Sequence, residues 1–186
     1  MATTTVVGSL MSEHKLILRM IGDMRLTVED VNRGGQPRSI YIDTAVDFLR
    51  TYADRCHHGK EEDILFRDLG KKKLTDDDAA AMQELIEDHA WARRTTGALV
   101  DSAARHFTTG DGLAETVAAL TQLVGFYPVH IDKENRLFFP AAMRYFDFEE
   151  RQAMAAEFAD FDRMLIHEKY AKVVEAFEAQ RTGVPA

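Results

Sequence analysis

The chain has one cysteine, Cys56, so an internal disulfide is impossible and a thiolate-rich metal site is ruled out. Positive charge is also short: 23 Lys and Arg stand against 31 Asp and Glu, a net charge of -8. The acids are spread along amphipathic segments, and no basic surface of the kind that neutralises phosphates is present, which argues against nucleic acid and anionic membranes as partners. No apolar run is long enough to span a bilayer and no stretch resembles a secretory signal, so a cytoplasmic location is expected. With four prolines and few β-branched runs, strands are hard to place anywhere.

What remains is helix. A length of 186 residues at 46 % hydrophobic content can bury one core, and a single domain over 1–186 is expected, with its core at about 9–181 and frayed ends at 1–7 and 182–186. The first helix is expected to start near Ser9 or Ser12, to carry Leu10, Ile17, Leu18 and Ile21 on one face, and to break at Asn32, Gly34, Gly35 and Pro37. The second runs from about Ile40 to Leu69. The third opens at Thr75, with Asp76, Asp77 and Asp78 suited to the positive end of a helix dipole, and reaches about Phe107. The fourth starts near Leu113, kinked at Pro128 and bent or broken at Pro140; the fifth runs from a capping box of Asp147 and Glu150 to about Gln180. Short connections make neighbours antiparallel, giving an all-α, up-and-down four-helix bundle with an additional C-terminal helix.

Each of the first four helices carries a candidate metal ligand: His14, His57 with Glu61, His89, and His130 with Glu134. The two pairs are each four apart, which places imidazole and carboxylate one turn apart on one face. Glu61 is followed by Leu65 and Phe66, and Glu134 by Phe138 and Phe139, a weak internal repeat. The second helix also offers His58 with Glu62, and the repeat favours His57 with Glu61, leaving His58 and Glu62 as outer partners or surface residues.

At about 100° per residue all six residues fall on core-facing stripes, with His130 and Glu134 among Phe126, Leu137 and Phe138. Buried carboxylates and imidazoles are costly unless compensated, and a metal ion compensates them. Imidazole and carboxylate without thiolate suit iron first and manganese or zinc next, whereas calcium and magnesium call for more oxygen ligands. Two carboxylates among four imidazoles would bridge two metals and leave coordination positions for a small diatomic or peroxide ligand. His106 reads as a solvated helix end, Lys71 to Lys73 as a charged terminus, Cys56 as a small buried apolar group, and the phenylalanines at 146, 148, 158 and 161 as core packing, like Tyr52 and Tyr127.

The pattern resembles the hemerythrin-like, or HHE, family. The resemblance rests on Glu13-His14, on His57-His58-Gly59-Lys60-Glu61-Glu62 leading to Leu65-Phe66, on Asp88-His89, and on His130-x-x-x-Glu134 leading to Phe139-Pro140. It implies a non-haem di-iron centre with an oxo or hydroxo bridge and bridging carboxylates, which binds or reacts with O2, peroxide or nitric oxide. An oxygen or iron carrier or sensor without turnover is the alternative, and a metal-free interaction module is a third reading. The chain departs from the oxygen-carrying members, whose third helix supplies two histidines four apart, because Arg93 stands four after His89. Their last helix uses a histidine and an aspartate five apart, where this chain has His130 and Glu134. His167 can supply the missing imidazole from the fifth helix, and Glu168 or Tyr170 can approach the metals or orient a ligand beside it.

Overall fold

The computed structural model of the protein describes the backbone of residues 5–162 and 166–182, and the side chains of the same residues except 166–168 and 180–182. Six helical rods succeed one another: α1 (Val6–Asn32), α2 (39–69), α3 (Asp76–Thr109), α4 (113–145), α5 (Phe148–Phe161) and α6 (Ile166–Thr182). The first four form the antiparallel bundle, α5 packs on α1 and α2, and α6 lies against α1 and α2 farther along. Among the described residues there is no strand, and no helix is long and apolar enough to cross a membrane.

The ends of the rods obey local chemistry. Thr5 caps α1 by accepting the Gly8 N–H, so α1 begins at Val6, earlier than the Ser9 or Ser12 start expected from polarity, and Val6 is buried. Thr75 caps α3 through the Asp78 N–H, and Asp147 and Glu150 close the expected capping box on α5. Gly110 (φ 85°) and Gly112 (φ 97°) make the α3–α4 turn in left-handed backbone, and a Cβ on Gly112 would stand 2.7 Å from the Ser102 carbonyl oxygen. The expected fifth helix is two: α5 ends at Phe161, where the next residue, Asp162, turns its carboxylate inward to Lys60.

Two stretches of α2 (Leu49–His58 and Glu61–Phe66) and one of α4 (Glu134–Phe138) are wound wider than an α-helix, with bonds from each carbonyl to the N–H five residues on. In α4 the cause is visible in the sequence. Pro140 has no N–H and its ring would press on the carbonyl four residues earlier; widening the turn just before it relieves that contact, and α4 runs on without breaking. It also stays helical through Pro128. A widened turn changes the phase of the residues beyond it, and Leu137, expected among the core residues, is 69 % exposed. Leu18 and Phe148, also expected inside, are exposed too.

Two apolar clusters fill the bundle. One gathers Ile17, Met20, Phe48, Leu99, Leu123 and Tyr170; the other gathers Leu10, Leu65, Phe66, Leu85, Phe139 and Phe158. Each bundle helix passes from one cluster to the other, and at the crossing it carries His14, His57, His89 or His130. A buried polar layer therefore separates two dry cores.

Candidate metal centre

Among the described residues seven donors meet in that layer, and each is buried: His14 from α1, His57, His58 and Glu61 from α2, His89 from α3, and His130 and Glu134 from α4. They form two groups. His14, His57, Glu61 and Glu134 each offer one donor atom, all within 4.8 Å of one another; His58, His89 and His130 do the same.

The carboxylates lie between the groups. Glu61 turns Oε1 towards His57 Nε2 (3.5 Å) and Oε2 towards His89 Nε2 (3.4 Å). Glu134 turns Oε2 towards His14 Nε2 (3.1 Å) and Oε1 towards His130 Nε2 (3.2 Å) and His89 Nε2 (3.6 Å). None of these four oxygens has a hydrogen-bond partner of proper geometry, and neither do His89 Nε2 and His130 Nε2. Buried groups of this kind normally pair, and each unpaired one costs roughly 1–3 kcal/mol. His14 Nε2 and His57 Nε2 face each other at 2.8 Å, within hydrogen-bond distance.

Four of the imidazoles are held from behind. His57 Nδ1 bonds Glu13 Oε2 (2.8 Å), His89 Nδ1 bonds Glu62 Oε1 (2.7 Å), His130 Nδ1 bonds Asp88 Oδ2 (3.2 Å), and His14 Nδ1 bonds Asn135 Oδ1 (3.0 Å). An oxygen acceptor at Nδ1 takes one ring proton, so that in the neutral imidazole the Nε2 lone pair is the one turned into the layer. Cations stand behind these acids in turn: Lys60 on Glu13, Lys133 on Asp88, and Arg93 on Glu62 and Asp54. His58 lacks such a hydrogen bond, with Asp54 Oδ1 3.5 Å from its Nδ1, and its ring stacks on His89 with centroids 3.9 Å apart.

The contacts repeat between the two halves of the bundle. Glu13-His14 matches Asp88-His89, and His57-x-x-Lys60-Glu61-Glu62 matches His130-x-x-Lys133-Glu134-Asn135. In each half the acid before the histidine on the first helix binds the imidazole on the second, and the second helix's lysine binds that acid. The residue after each central glutamate reaches the histidine of the opposite half. His58 breaks the repeat, since its counterpart is the apolar Ile131.

Electrostatics agree with a site short of positive charge. Burial and the neighbouring Glu134 carboxylate push Glu61 well above the usual carboxylate range. Burial acts on Glu134 in the same direction, but the imidazoles of His130, His14 and His89 outweigh it and hold Glu134 ionised. His130 is raised to about 9, because burial is outweighed by Glu134 and Asp88. Burial and His14 bring His57 down to about 4, and burial with His89 and His57 takes His58 well below its ordinary value. The orphaned oxygens and the inward-facing imidazoles suit a cation bound by nitrogen and oxygen, and the cluster can hold a metal ion.

The six residues expected as ligands, His14, His57, Glu61, His89, His130 and Glu134, all lie in this layer. Glu62, expected as an outer partner or a surface residue, bonds His89 Nδ1. His58, expected as an outer partner, is inside the donor layer. Tyr170 is not at the centre; its hydroxyl donates to Asp47 Oδ2 (2.7 Å) within the first apolar cluster. The side chains of His167 and Glu168 lie outside the described residues. Missed from sequence were Glu13, Lys60, Asp88, Lys133 and Asn135, although an acid directly before both His14 and His89 was a usable signal.

The family model for the hemerythrin HHE cation-binding domain matches residues 5–142. Neither a curated protein nor a solved structure matches the chain.

Proposed function

Since this chain belongs to the hemerythrin HHE cation-binding domain family, we propose that it is a non-haem di-iron protein that binds or reacts with O2, peroxide or nitric oxide. The observation that carries this reading is the pair of buried carboxylates. Each directs one oxygen to each histidine group, and none of the four oxygens is otherwise satisfied. A single ion would leave half of those oxygens orphaned, whereas two ions bridged by Glu61 and Glu134 use all of them.

On this reading His14 and His57 hold one ion, and His58, His89 and His130 hold the other. His58 supplies the imidazole that the oxygen carriers take from their third helix, where this chain has Arg93. His167 is not needed for that count. Two irons would supply Lewis-acid binding and electrons for a small oxidant. The unequal shares, two imidazoles against three, favour the small ligand approaching on the His14 and His57 side. The chain's own part is to aim the Nε2 atoms of His57, His89, His130 and His14 through Glu13, Glu62, Asp88 and Asn135, and to exclude bulk water with the apolar clusters above and below.

Anaerobic loading with Fe(II) and then metal analysis tests the proposal. Two irons per chain are expected, and the Glu61→Ala/Glu134→Ala double variant should retain none through desalting. Full uptake by that variant, or no uptake by the wild type, would overturn the reading. Mixing the diferrous protein with O2 and with excess peroxide then separates carrier from enzyme. A visible absorption that reverses on deoxygenation marks a carrier, and consumption of many equivalents of peroxide marks an enzyme.

A further inference from the structure

The two halves of the centre differ in what holds the lysine. Lys133 bonds Asp88 (2.8 Å) and Glu84 Oε1 (2.7 Å), both on α3 and one turn apart, and this group is partly open to solvent. In the other half the residue one turn before Glu13 is Ser9, whose hydroxyl reaches Glu13 Oε1 at 3.4 Å and carries no charge. Lys60 nevertheless has a second carboxylate, Asp162 Oδ1 at 2.7 Å, just past the end of α5. Its ammonium is fully buried, so it cannot rely on water as Lys133 does.

Asp162 lies beyond the stretch that matches the family, which ends at residue 142. It does not touch the centre by chance of packing alone. The preceding Phe161 sits over Gly59, where a Cβ would come within 3.2 Å of its Cζ, so the only side-chain-free position in the His57–Glu61 segment is the one α5 covers. Asp162 Oδ1 also accepts from Cys56 Sγ at 3.7 Å. The end of α5 thus grips α2 on both sides of His57 and His58.

We propose that Asp162 is a positioning residue for the ion held by His14 and His57: acting through Lys60 and Glu13, it supplies the carboxylate that Glu84 supplies in the other half. The inference rests on the two-ion reading above. Without Asp162 the buried ammonium keeps only one carboxylate, Glu13, beside the face of the Phe158 ring, and Glu13 is drawn from His57 Nδ1, which loosens the aim of His57 Nε2. His130 and His89 are held by other residues and do not feel the change.

The test is the rate at which the anaerobic diferrous protein gives up Fe(II) to ferrozine, in the full chain carrying Asp162→Ala or the shape-preserving Asp162→Asn. One of two release phases is expected to accelerate about tenfold in Asp162→Ala, in line with other outer partners of metal ligands, while the second phase keeps its wild-type rate. Adding Ser9→Glu to Asp162→Ala should restore the slow rate by rebuilding the other half's arrangement. Equal acceleration of both phases would mean a general loosening of the fold and overturns the proposal, as do unchanged rates in both variants. Wild-type protein that releases a single equivalent refutes the two-ion reading itself, a result distinct from either of these.

Discussion

Glu61 should be a liability until metal arrives. In the metal-free protein its carboxyl is fully buried, its pKa is driven up by burial and by Glu134, and both of its oxygens lack hydrogen bonds. Glu61→Met keeps the length of the side chain, and methionine adapts well to irregular core space. Removing an unsatisfied buried polar group recovers roughly 1–3 kcal/mol. At about 2–4 °C per kcal/mol for a chain of this size, a gain of about 2 kcal/mol raises the melting temperature by roughly 4–8 °C. The assay is thermal unfolding monitored by circular dichroism, with chelator and then with saturating Fe(II) under argon. In chelator the variant should melt above the wild type. With metal the order should invert, because free metal at about a thousand times its Kd adds about 4 kcal/mol to the wild type and much less to a variant that has lost one of the two central carboxylates. A variant that melts below the wild type in chelator would show that Glu61 is well satisfied without metal, and the argument from orphaned oxygens would fail.

Acid should weaken the metal-free fold through His57. Its folded pKa of about 4 lies below the ordinary 6.5, so the unfolded chain gains a proton across that window that the folded chain refuses, and stability falls as pH drops from about 6.5 to about 4. At about 1.4 kcal/mol per pH unit the loss from this group is roughly 3 kcal/mol. Denaturant titrations of chelated wild type and His57→Gln at the two pH values should differ by that amount; parallel losses would refute the assignment. Cys56, pushed up to about 12 by burial, should resist thiol reagents in the native state. At pH 8 labelling is expected about a thousandfold slower than for a free cysteine, from the thiolate fraction alone, and labelling at the free-cysteine rate would contradict the burial.

The sequence carried the bundle and six of the seven donors because both are written in periodicity and residue type: apolar stripes, caps at Thr75 and Asp147, and His-x-x-x-Glu steps. What it did not carry depends on departures from those regularities. A wheel drawn at 100° per residue has no means of showing a wide turn, so Leu137 was sorted to the inside, while His58 was left outside by the repeat, whose other copy carries Ile131 at that position. Lys60 was unreadable for a different reason. A lysine is placed at the surface by its type, and only tertiary contact brings Glu13 and Asp162 to it. The division of the last helical stretch was hidden likewise, since residues 160–162 contain neither proline nor glycine, and the chain turns there to satisfy a charge on another helix.

The wide turns of α2 make the count of residues, more than their identity, the thing that keeps the donors in phase. A substitution in 49–56 that keeps the helical bonds leaves that phase intact. Deleting one residue there while the stretch keeps its wide winding would turn everything after it by somewhat under 100°, carrying His57, His58 and Glu61 together off the axis they share with α4. Two chains identical in every donor yet different by one residue in that run would not hold the same centre.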